Sequence, residues 1–305
     1  MTFKKTVSEQ KVLITTFLVD LLDVALNLVV AMVTGSMVML SEFFQGLADL
    51  TAAALLLVGY KRSRKRADKQ HPFGYGKEIY FWTLISAVVM MTFTATASFY
   101  FGLMRFLEPT EIDHIWLGYG TLVITLVSNT YALSLSSRRL LRSKPLTQLP
   151  KVFLTSDAVT AKNALVLDLM GACAAVFGLT SLLLFQLMGV KRADGLGAMV
   201  IGVSTGVLAI VLVIGLRGLM VGERAAPEIE EKIEKAAMSV KQVKEVVDLR
   251  TMQVGLDRLL VDIEVHIADE LSTDELETLI DKVKERIKEK VNSVRYLQVE
   301  LEGPD

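Results

Sequence analysis

The chain has 305 residues, of which 52% are hydrophobic and 22% are charged, and its net charge is −1. The charges are unevenly placed, since residues 1–222 hold 20 basic and 13 acidic side chains whereas residues 223–305 hold 13 and 21. This separation excludes a single soluble globule and predicts a membrane part followed by an acidic soluble part. The single cysteine, Cys173, excludes a disulfide framework.

Six apolar stretches of about twenty residues, the length that crosses a hydrocarbon core, occupy the first part of the chain. We expect no secretory signal, because the first apolar run is long and lacks a small-residue cleavage pattern. The sequence predicts a transmembrane domain over 1–222, with helices at about 11–33, 36–59, 79–106, 115–137, 158–188 and 195–221.

The loops between these helices predict their orientation. Segments 60–78 and 138–151 are rich in Lys and Arg, whereas 107–114 is acidic. Basic loops stay in the cytoplasm, and six helices then place both termini on that side. We therefore expect a multi-pass protein of the cell (inner) membrane with cytoplasmic termini.

Polar side chains recur on one face of three predicted membrane helices. They are Asp20, Asp23 and Asn27 in the first, Glu42, Gln45 and Asp49 in the second, and Asp157 and Asp168 in the fifth. Ionised carboxylates at one depth repel each other, and a divalent cation or protons relieve that repulsion. The alternative is that each acid is protonated or hydrogen-bonds to a neighbouring helix. Glu42, near the outer end of its helix, is either at the mouth of a pathway or solvated.

The soluble part has the pattern α-β-β-α-β. Apolar and polar residues alternate over 258–268, which is typical of a half-buried strand. Ser272 and Glu275 form a capping box that opens the second helix. Pro227 opens the first helix, and the other strands are predicted at 244–254 and 294–302. The pattern predicts a small cytoplasmic α+β, ferredoxin-like domain over 223–305.

Three motifs resemble the cation diffusion facilitator family. The first is His71-Pro-Phe-Gly-Tyr-Gly-Lys-Glu78 followed by Tyr80-Phe-Trp82, the second is Thr34-Gly-Ser36 with the stretch Ser41 to Asp49 after it, and the third is Glu223-Arg-Ala-Ala-Pro227. The resemblance covers nearly the whole chain. It implies a membrane six-helix bundle with a cytoplasmic domain, assembled as homodimers that exchange divalent metals for protons.

The resemblance also implies a transport site built from an H/D-x-x-x-D pair in each of the second and fifth helices. On this chain the first pair is Gln45 and Asp49, and the second is Ala164 and Asp168. An alignment that starts at Asp157 would instead leave the fifth helix without a ligand, so we prefer the first.

Both first positions of these pairs lack the usual histidine or aspartate, so the chain looks like a divergent member. The remaining donors are Gln45, Asp49, Asp168 and, in addition, Asn163. All of them offer oxygen, which favours Mg, Mn or Fe(II) over zinc. The metal would be the substrate (Mn, Fe, Zn, Co or similar), and no cofactor is expected.

Two further sites are implied by the resemblance. In the loop after the second helix, Asp68 and His71 match two metal ligands, while Tyr75 stands where a third histidine is common. The alternative is that His71 orders the loop before Pro72. Lys77 matches the cation of a structural charge pair with Glu223.

In the soluble domain, candidate metal ligands occupy the polar face of the predicted sheet. They are Asp262, Glu264 and His266 on one strand. The resemblance implies a metal site between protomers, and Glu264, Gln298 and Glu300 fall near its positions, without histidines. Oxygen and imidazole donors of this kind bind metals. An ordinary solvated face is the other interpretation, and any site here would be weak.

The leading hypothesis is proton-coupled efflux of a divalent metal cation, with the bilayer, protons and a second copy of the chain as partners. The alternative is a non-transporting homologue that acts as a metal-responsive sensor or assembly protein. We expect no enzyme, because no nucleophile–base pair, HExxH motif or Gly-rich phosphate loop is present. Nucleic-acid binding has no support.

Overall fold

The computed structural model describes residues 9–141, 144–155, 159–256, 258–267 and 272–302, with side chains described from residue 21 onward except at 154, 155, 159 and 160. The chain divides into two compact units. The first contains Met1–Gly59, Phe81–Leu154 and Val159–Gly215, and the second contains Tyr60–Tyr80, Thr155–Ala158 and Leu216–Asp305. The loop 60–80 thus groups with the C-terminal part of the chain. The predicted boundary between 222 and 223 stays a prediction.

Helices account for most of the described residues up to Val221, as the apolar pattern predicts. They are α1 (Glu9–Thr34), α2 (Met37–Ser63), α3 (Glu78–Val89), α4 (Thr96–Leu107), α5 (Ile115–Leu141), α6 (Leu149–Thr155), α7 (Val159–Met188) and α8 (Ala193–Val221). Each predicted membrane helix corresponds to one of these, with α3 and α4 together forming the third. The short helix α6 lies where the sequence predicted only loop, and α5 continues to Leu141 because Arg138 and Arg139 suit its carbonyl end.

Four helical segments are long and apolar enough to cross a membrane. They are Met37–Ser63, Glu78–Leu107, Ala161–Met188 and Ala193–Val221. The described apolar stretch of α1, Leu21–Thr34, is shorter, and α5 carries many hydroxyl side chains. The protein is therefore a multi-pass membrane protein, and six crossings stay a prediction.

A π-helical turn at Met90–Ala95 joins α3 to α4. Such a turn interrupts the regular ladder of hydrogen bonds and is frequent at functional sites. Within it, the Thr94 hydroxyl donates to the backbone carbonyl of Phe44 in α2, at 3.1 Å. The same turn packs closely on α8, since a Cβ added to Gly202 would lie 2.8 Å from the carbonyl oxygen of Ala95.

The second unit contains the soluble domain in the predicted order. Helix α9 (Pro227–Met238) is followed by β1 (Val243–Gly255), β2 (Arg258–Ile267), α10 (Thr273–Lys290) and β3 (Val294–Glu302). The sheet order is β1-β2-β3, with β2 antiparallel to β1 and parallel to β3. The predicted α+β fold class is confirmed.

The core of this domain follows the period-two pattern of β2. Its buried side chains alternate with half-buried ones, as predicted, and pack against the apolar faces of α9 and α10, including Ile233 and Val283. The capping box is also confirmed, because Ser272 Oγ accepts from the Glu275 N–H and a Glu275 carboxylate oxygen accepts from the Ser272 N–H. Such a cap contributes about 1 kcal/mol to the helix.

Candidate metal-transport site

Gln45 and Asp49 lie on one face of α2 and contact each other. Gln45 is 2% exposed, and its amide nitrogen donates to Asp49 Oδ1 at 3.3 Å. The amide oxygen of Gln45 accepts from the hydroxyl of Thr205 in α8, at 3.1 Å. A carboxylate, a carboxamide and a hydroxyl from two helices therefore meet at this depth. Thr205 was not recognised from the sequence, since a lone threonine in an apolar helix gives no signal.

Asp168 is half-buried in α7 and accepts a hydrogen bond from Ser136 of α5, at 2.5 Å. This bond joins two helices that pack along each other. Asn163, one and a half turns before Asp168, is 3% exposed, and its amide oxygen accepts no hydrogen bond from the described residues. The metal-binding role of Asn163 and Asp168 stays a prediction. Ser136 was missed because the sequence does not show which residues of α5 face α7.

Two of the predicted acids cannot be assessed. Asp157 lies outside the described residues, as does the side chain of Asp20. The alignment that starts at Asp157 stays a prediction. Lys162 of α7, which no pattern in the sequence singles out, is fully buried, with its ammonium 5.7 Å from the centre of the Phe153 ring.

Asp23, Asn27 and Glu42 form a second polar group between α1 and α2. Asn27 donates to Asp23 Oδ2 at 3.0 Å, so the two side chains share a face as predicted. Glu42 is 3% exposed, which makes the expectation of a solvated side chain wrong. It is covered because α1 approaches α2 closely here: a Cβ added to Gly46 would lie 3.0 Å from Val24 Cγ2.

Asp194 and Arg105 form a buried ion pair at the first turn of α2. Asp194 is fully buried in the first turn of α8 and accepts from the Ser36 hydroxyl at 2.5 Å and from the backbone N–H groups of Met37 and Val38. Arg105 of α4 pairs with it at 3.1 Å and also donates to the Gly35 carbonyl. Asp194 thus satisfies the free N–H groups of α2. The sequence placed it in a loop and missed this role.

Asp68 and His71 come together in the loop 60–80. One Asp68 oxygen accepts from the backbone N–H of His71 at 2.8 Å, and the other accepts from the Tyr75 hydroxyl at 2.7 Å. The His71 and Tyr75 rings stack with centroids 4.2 Å apart. The hydrogen bond from the Tyr75 hydroxyl, and after it the one from the His71 backbone, holds the pKa of Asp68 below its usual range. The hydrogen bond to Asp68 also raises the pKa of Tyr75. These contacts order the loop, which supports the structural interpretation of His71.

The charge pair expected between Lys77 and Glu223 is replaced by another contact. The Lys77 ammonium donates to the backbone carbonyl of Met220 at 3.4 Å, while the Glu223 carbonyl accepts from the Gln253 N–H at 2.9 Å. The lysine therefore satisfies a carbonyl near the end of α8, where the helix dipole favours a cation.

On the sheet, the candidate ligands form rows across the three strands. Glu264 lies between Asp248 and Glu300, and Asp262 lies between Arg250 and Gln298. Throughout the part of the chain that the structure describes, no three His, Cys, Asp or Glu side chains are grouped so as to hold a metal ion. Asp262 Oδ1 is buried and accepts no hydrogen bond from the described residues, so this face is not solvated throughout, and a metal site on it stays a prediction.

The family is established by two family models. One, described as the cation efflux transmembrane domain, matches residues 13–215, and the other, described as the cytoplasmic domain of cation efflux proteins, matches residues 225–302. The chain belongs to the cation efflux family, also called the cation diffusion facilitators. The family is one of transporters, and the predicted resemblance is confirmed.

Relatives within the family are distant. The mouse protein named "Proton-coupled zinc antiporter SLC30A9, mitochondrial" is 26% identical over 234 residues, which is 76% of this chain and 41% of that protein. An uncharacterized transporter of Methanocaldococcus jannaschii is 22% identical over 294 residues, 96% of this chain and 98% of the relative. A solved nickel form of the MamM CTD is 20% identical, with a TM-score of 0.25, and covers 26% of this chain and all of its own. The chain spans less than half the length of the SLC30A9 relatives.

Proposed function

We propose that this chain is an antiporter that exports a divalent metal cation in exchange for protons, through an oxygen-rich site between α2 and α7. The observation that carries the proposal is the partly buried hydrogen bond between Asp49 and Gln45, whose amide oxygen also accepts from Thr205 of α8. Polar side chains inside a membrane domain are costly and mark ion pathways. The name of the mouse relative, a proton-coupled zinc antiporter, agrees with this chemistry.

In this mechanism Asp49 and Asp168 are the charged metal ligands, and Gln45 and Asn163 add neutral oxygens. Metal binds when the carboxylates are ionised, and protons displace it because one carboxylate oxygen does not hold both. The membrane domain alternates between two states that open the site to opposite sides. Oxygen donors favour Mn, Fe(II) or Mg over zinc, which prefers nitrogen and sulfur.

We further propose that Asp68 and His71 contribute a weak accessory metal site in the loop 60–80. The protein works as a homodimer in the bilayer of the cell (inner) membrane, with both termini in the cytoplasm. The match to the cytoplasmic domain of cation efflux proteins supports the dimer. The basic segments 60–78 and 138–151 support the orientation.

The test is metal flux into liposomes that contain the full-length protein and carry a pH gradient. Mn, Fe(II), Co, Ni, Zn and Mg are offered one at a time. We expect the wild-type protein to move at least one of them, and Asp49→Ala to abolish that flux because the remaining donors carry too little negative charge. Asp113→Ala, which removes an exposed acid in the loop 107–114, serves as the matched control and is expected to transport normally.

Wild-type flux from the Asp49→Ala protein would contradict the assigned site. Absence of flux for every metal with the wild-type protein would contradict antiport itself. In that case, tightening of the dimer by metal would favour the alternative of a non-transporting homologue that senses metal or directs assembly.

A further inference from the structure

The polar group between α1 and α2 contains two buried oxygens that have no partner among the described residues. Glu42 Oε1 and Asn27 Oδ1 accept no hydrogen bond within the described part of the chain. Asn27 is fully buried and Glu42 nearly so. A buried polar atom left unsatisfied costs about 1–3 kcal/mol, so such atoms call for an explanation.

The backbone brings Asp23 into the same place. A Cβ added to Gly46 would lie 3.5 Å from Asp23 Oδ2, so the carboxylate of Asp23 lies against α2 one turn after Glu42. Asp23 is near enough to repel a negative charge on Glu42. Asn27 already donates its amide hydrogen to Asp23. Asp23 and Asn27 therefore lie where α1 meets α2, one turn from Glu42, and the remaining oxygens of Asn27 and Glu42 lack a donor among the described residues.

The charged groups of the neighbouring helices do not supply this donor. At the end where α2 begins, Arg105 of α4 is paired with Asp194 of α8. In α7, the buried ammonium of Lys162 lies 5.7 Å from the centre of the Phe153 ring. Among residues with described side chains, Asp23 is the charged group that acts on Glu42. Within the part of the chain whose side chains are described, no donor reaches Glu42 Oε1 or Asn27 Oδ1.

A proton is the smallest ligand that supplies a donor to these oxygens. A single proton suffices, because it converts one carboxylate oxygen of Glu42 from an acceptor into a donor. It also removes the cost of an ionised carboxylate in a buried place.

We propose that Glu42, Asp23 and Asn27 form a proton-binding site between α1 and α2 that is distinct from the metal site. Glu42 holds the proton, Asp23 and Asn27 accept from it, and release of the proton accompanies a change of state of the transporter. The site lies one turn from Gln45, about 4.5 Å along the helix at 1.5 Å per residue. This inference rests on the proposed antiport, for which it supplies the site of proton coupling.

The test separates proton coupling from metal translocation. Full-length protein in liposomes is assayed with Mn²⁺ and with Zn²⁺ in two modes: uptake driven by a pH gradient, and exchange of metal for metal at equal pH. We expect Glu42→Gln to lower gradient-driven uptake by about tenfold or more, the factor of one pKa unit, while exchange stays near the wild-type rate. Glu108→Gln, at an exposed loop position, is the matched control and keeps both modes.

Two results would overturn the proposal. Glu42→Gln with wild-type uptake and an unchanged proton-to-metal ratio would show that no coupled proton binds there. Loss of both modes from a protein that elutes as folded would place Glu42 in the metal site. If Glu42→Gln does not fold, Asp23→Asn is tested in the same way.

A measurement without transport keeps this inference distinguishable from the antiport proposal. Infrared spectra of the wild-type protein over a pH series are expected to contain the carbonyl band of a protonated carboxyl that Glu42→Gln lacks. Identical spectra for the two proteins would overturn the proton site even if metal flux is found. The band without any metal flux would contradict antiport and leave the proton site standing.

Discussion

Asp194 and Glu42 are two buried acids beside the first turns of α2, and their surroundings are opposite. Asp194 accepts from the Ser36 hydroxyl, from backbone N–H groups at the start of α2, and from Arg105. Glu42 has an oxygen without a partner and faces the acid Asp23. Two buried carboxylates therefore have different roles. Asp194, which has hydrogen-bond partners, holds helices together, whereas Glu42, which has an oxygen without one, can bind a ligand.

The largest expected effect is the loss of stability on replacing Asp194, the acid with hydrogen-bond partners. Asp194→Ala leaves the buried guanidinium of Arg105 without its carboxylate and the start of α2 without its acceptor. Breaking a buried ion pair in this way costs about 3–5 kcal/mol. We expect a marked fall in the unfolding temperature of the detergent-solubilised protein. Asp113→Ala is the control, and an unchanged unfolding temperature for Asp194→Ala would refute the fastening role.

Replacing Glu42, the acid with an unpartnered oxygen, is expected to change stability much less. Glu42→Gln removes a proton-binding group but adds an amide donor for the unpartnered oxygens, so its free energy of unfolding should change by less than about 1 kcal/mol. The same thermal assay measures it. A destabilisation as large as that of Asp194→Ala would show that Glu42 is structural and would erase the contrast between the two acids.

The smallest effect concerns an exposed acid outside the helices. Tyr75→Phe removes the main hydrogen bond that lowers the pKa of Asp68, so this pKa should rise towards the ordinary aspartate value. Because the folded pKa lies below the unfolded one, Asp68 stabilises the folded state at neutral pH, and this contribution is lost as pH falls through the folded pKa. The variant should therefore show a smaller loss at acid pH.

The measurement is a carbon NMR titration of labelled aspartate carboxyls. Tyr131→Phe, at an exposed position of α5, is the control and should leave the titration of Asp68 unchanged. An unshifted Asp68 in Tyr75→Phe would mean that the backbone of His71, rather than the tyrosine, sets its ionisation.

Local patterns were enough to predict most of the fold. The strand 294–302, the capping box at Ser272 and the helical stretches follow from spacing within a few residues, because period, caps and length are properties of the chain itself. Contacts between distant parts of the chain were not predicted, because local patterns do not contain them. The bond between Arg105 and Asp194 joins positions 89 residues apart, and no local pattern reports it.

The candidate site was predicted less completely than the fold. Asp49 and Gln45 were recognised because their spacing places them on one face, and the structure joins them directly. The partners Thr205 and Ser136 were not recognised, because the sequence does not show which helices their hydroxyls contact. The solvated alternative for Glu42 was wrong, because its burial depends on how closely Gly46 lets α1 approach.

Gly76 limits where the chain can be joined to a relative in a chimeric protein. A Cβ there would lie 2.2 Å from the carbonyl oxygen of Val254, and Phe73 of the same loop meets the Tyr296 ring edge-on at 5.1 Å. The loop 60–80 and the domain after residue 216 are therefore shaped to each other. A chimera that exchanges only residues 223–305 for those of a relative would inherit a mismatched surface, whereas one that carries the loop along should express as a folded protein.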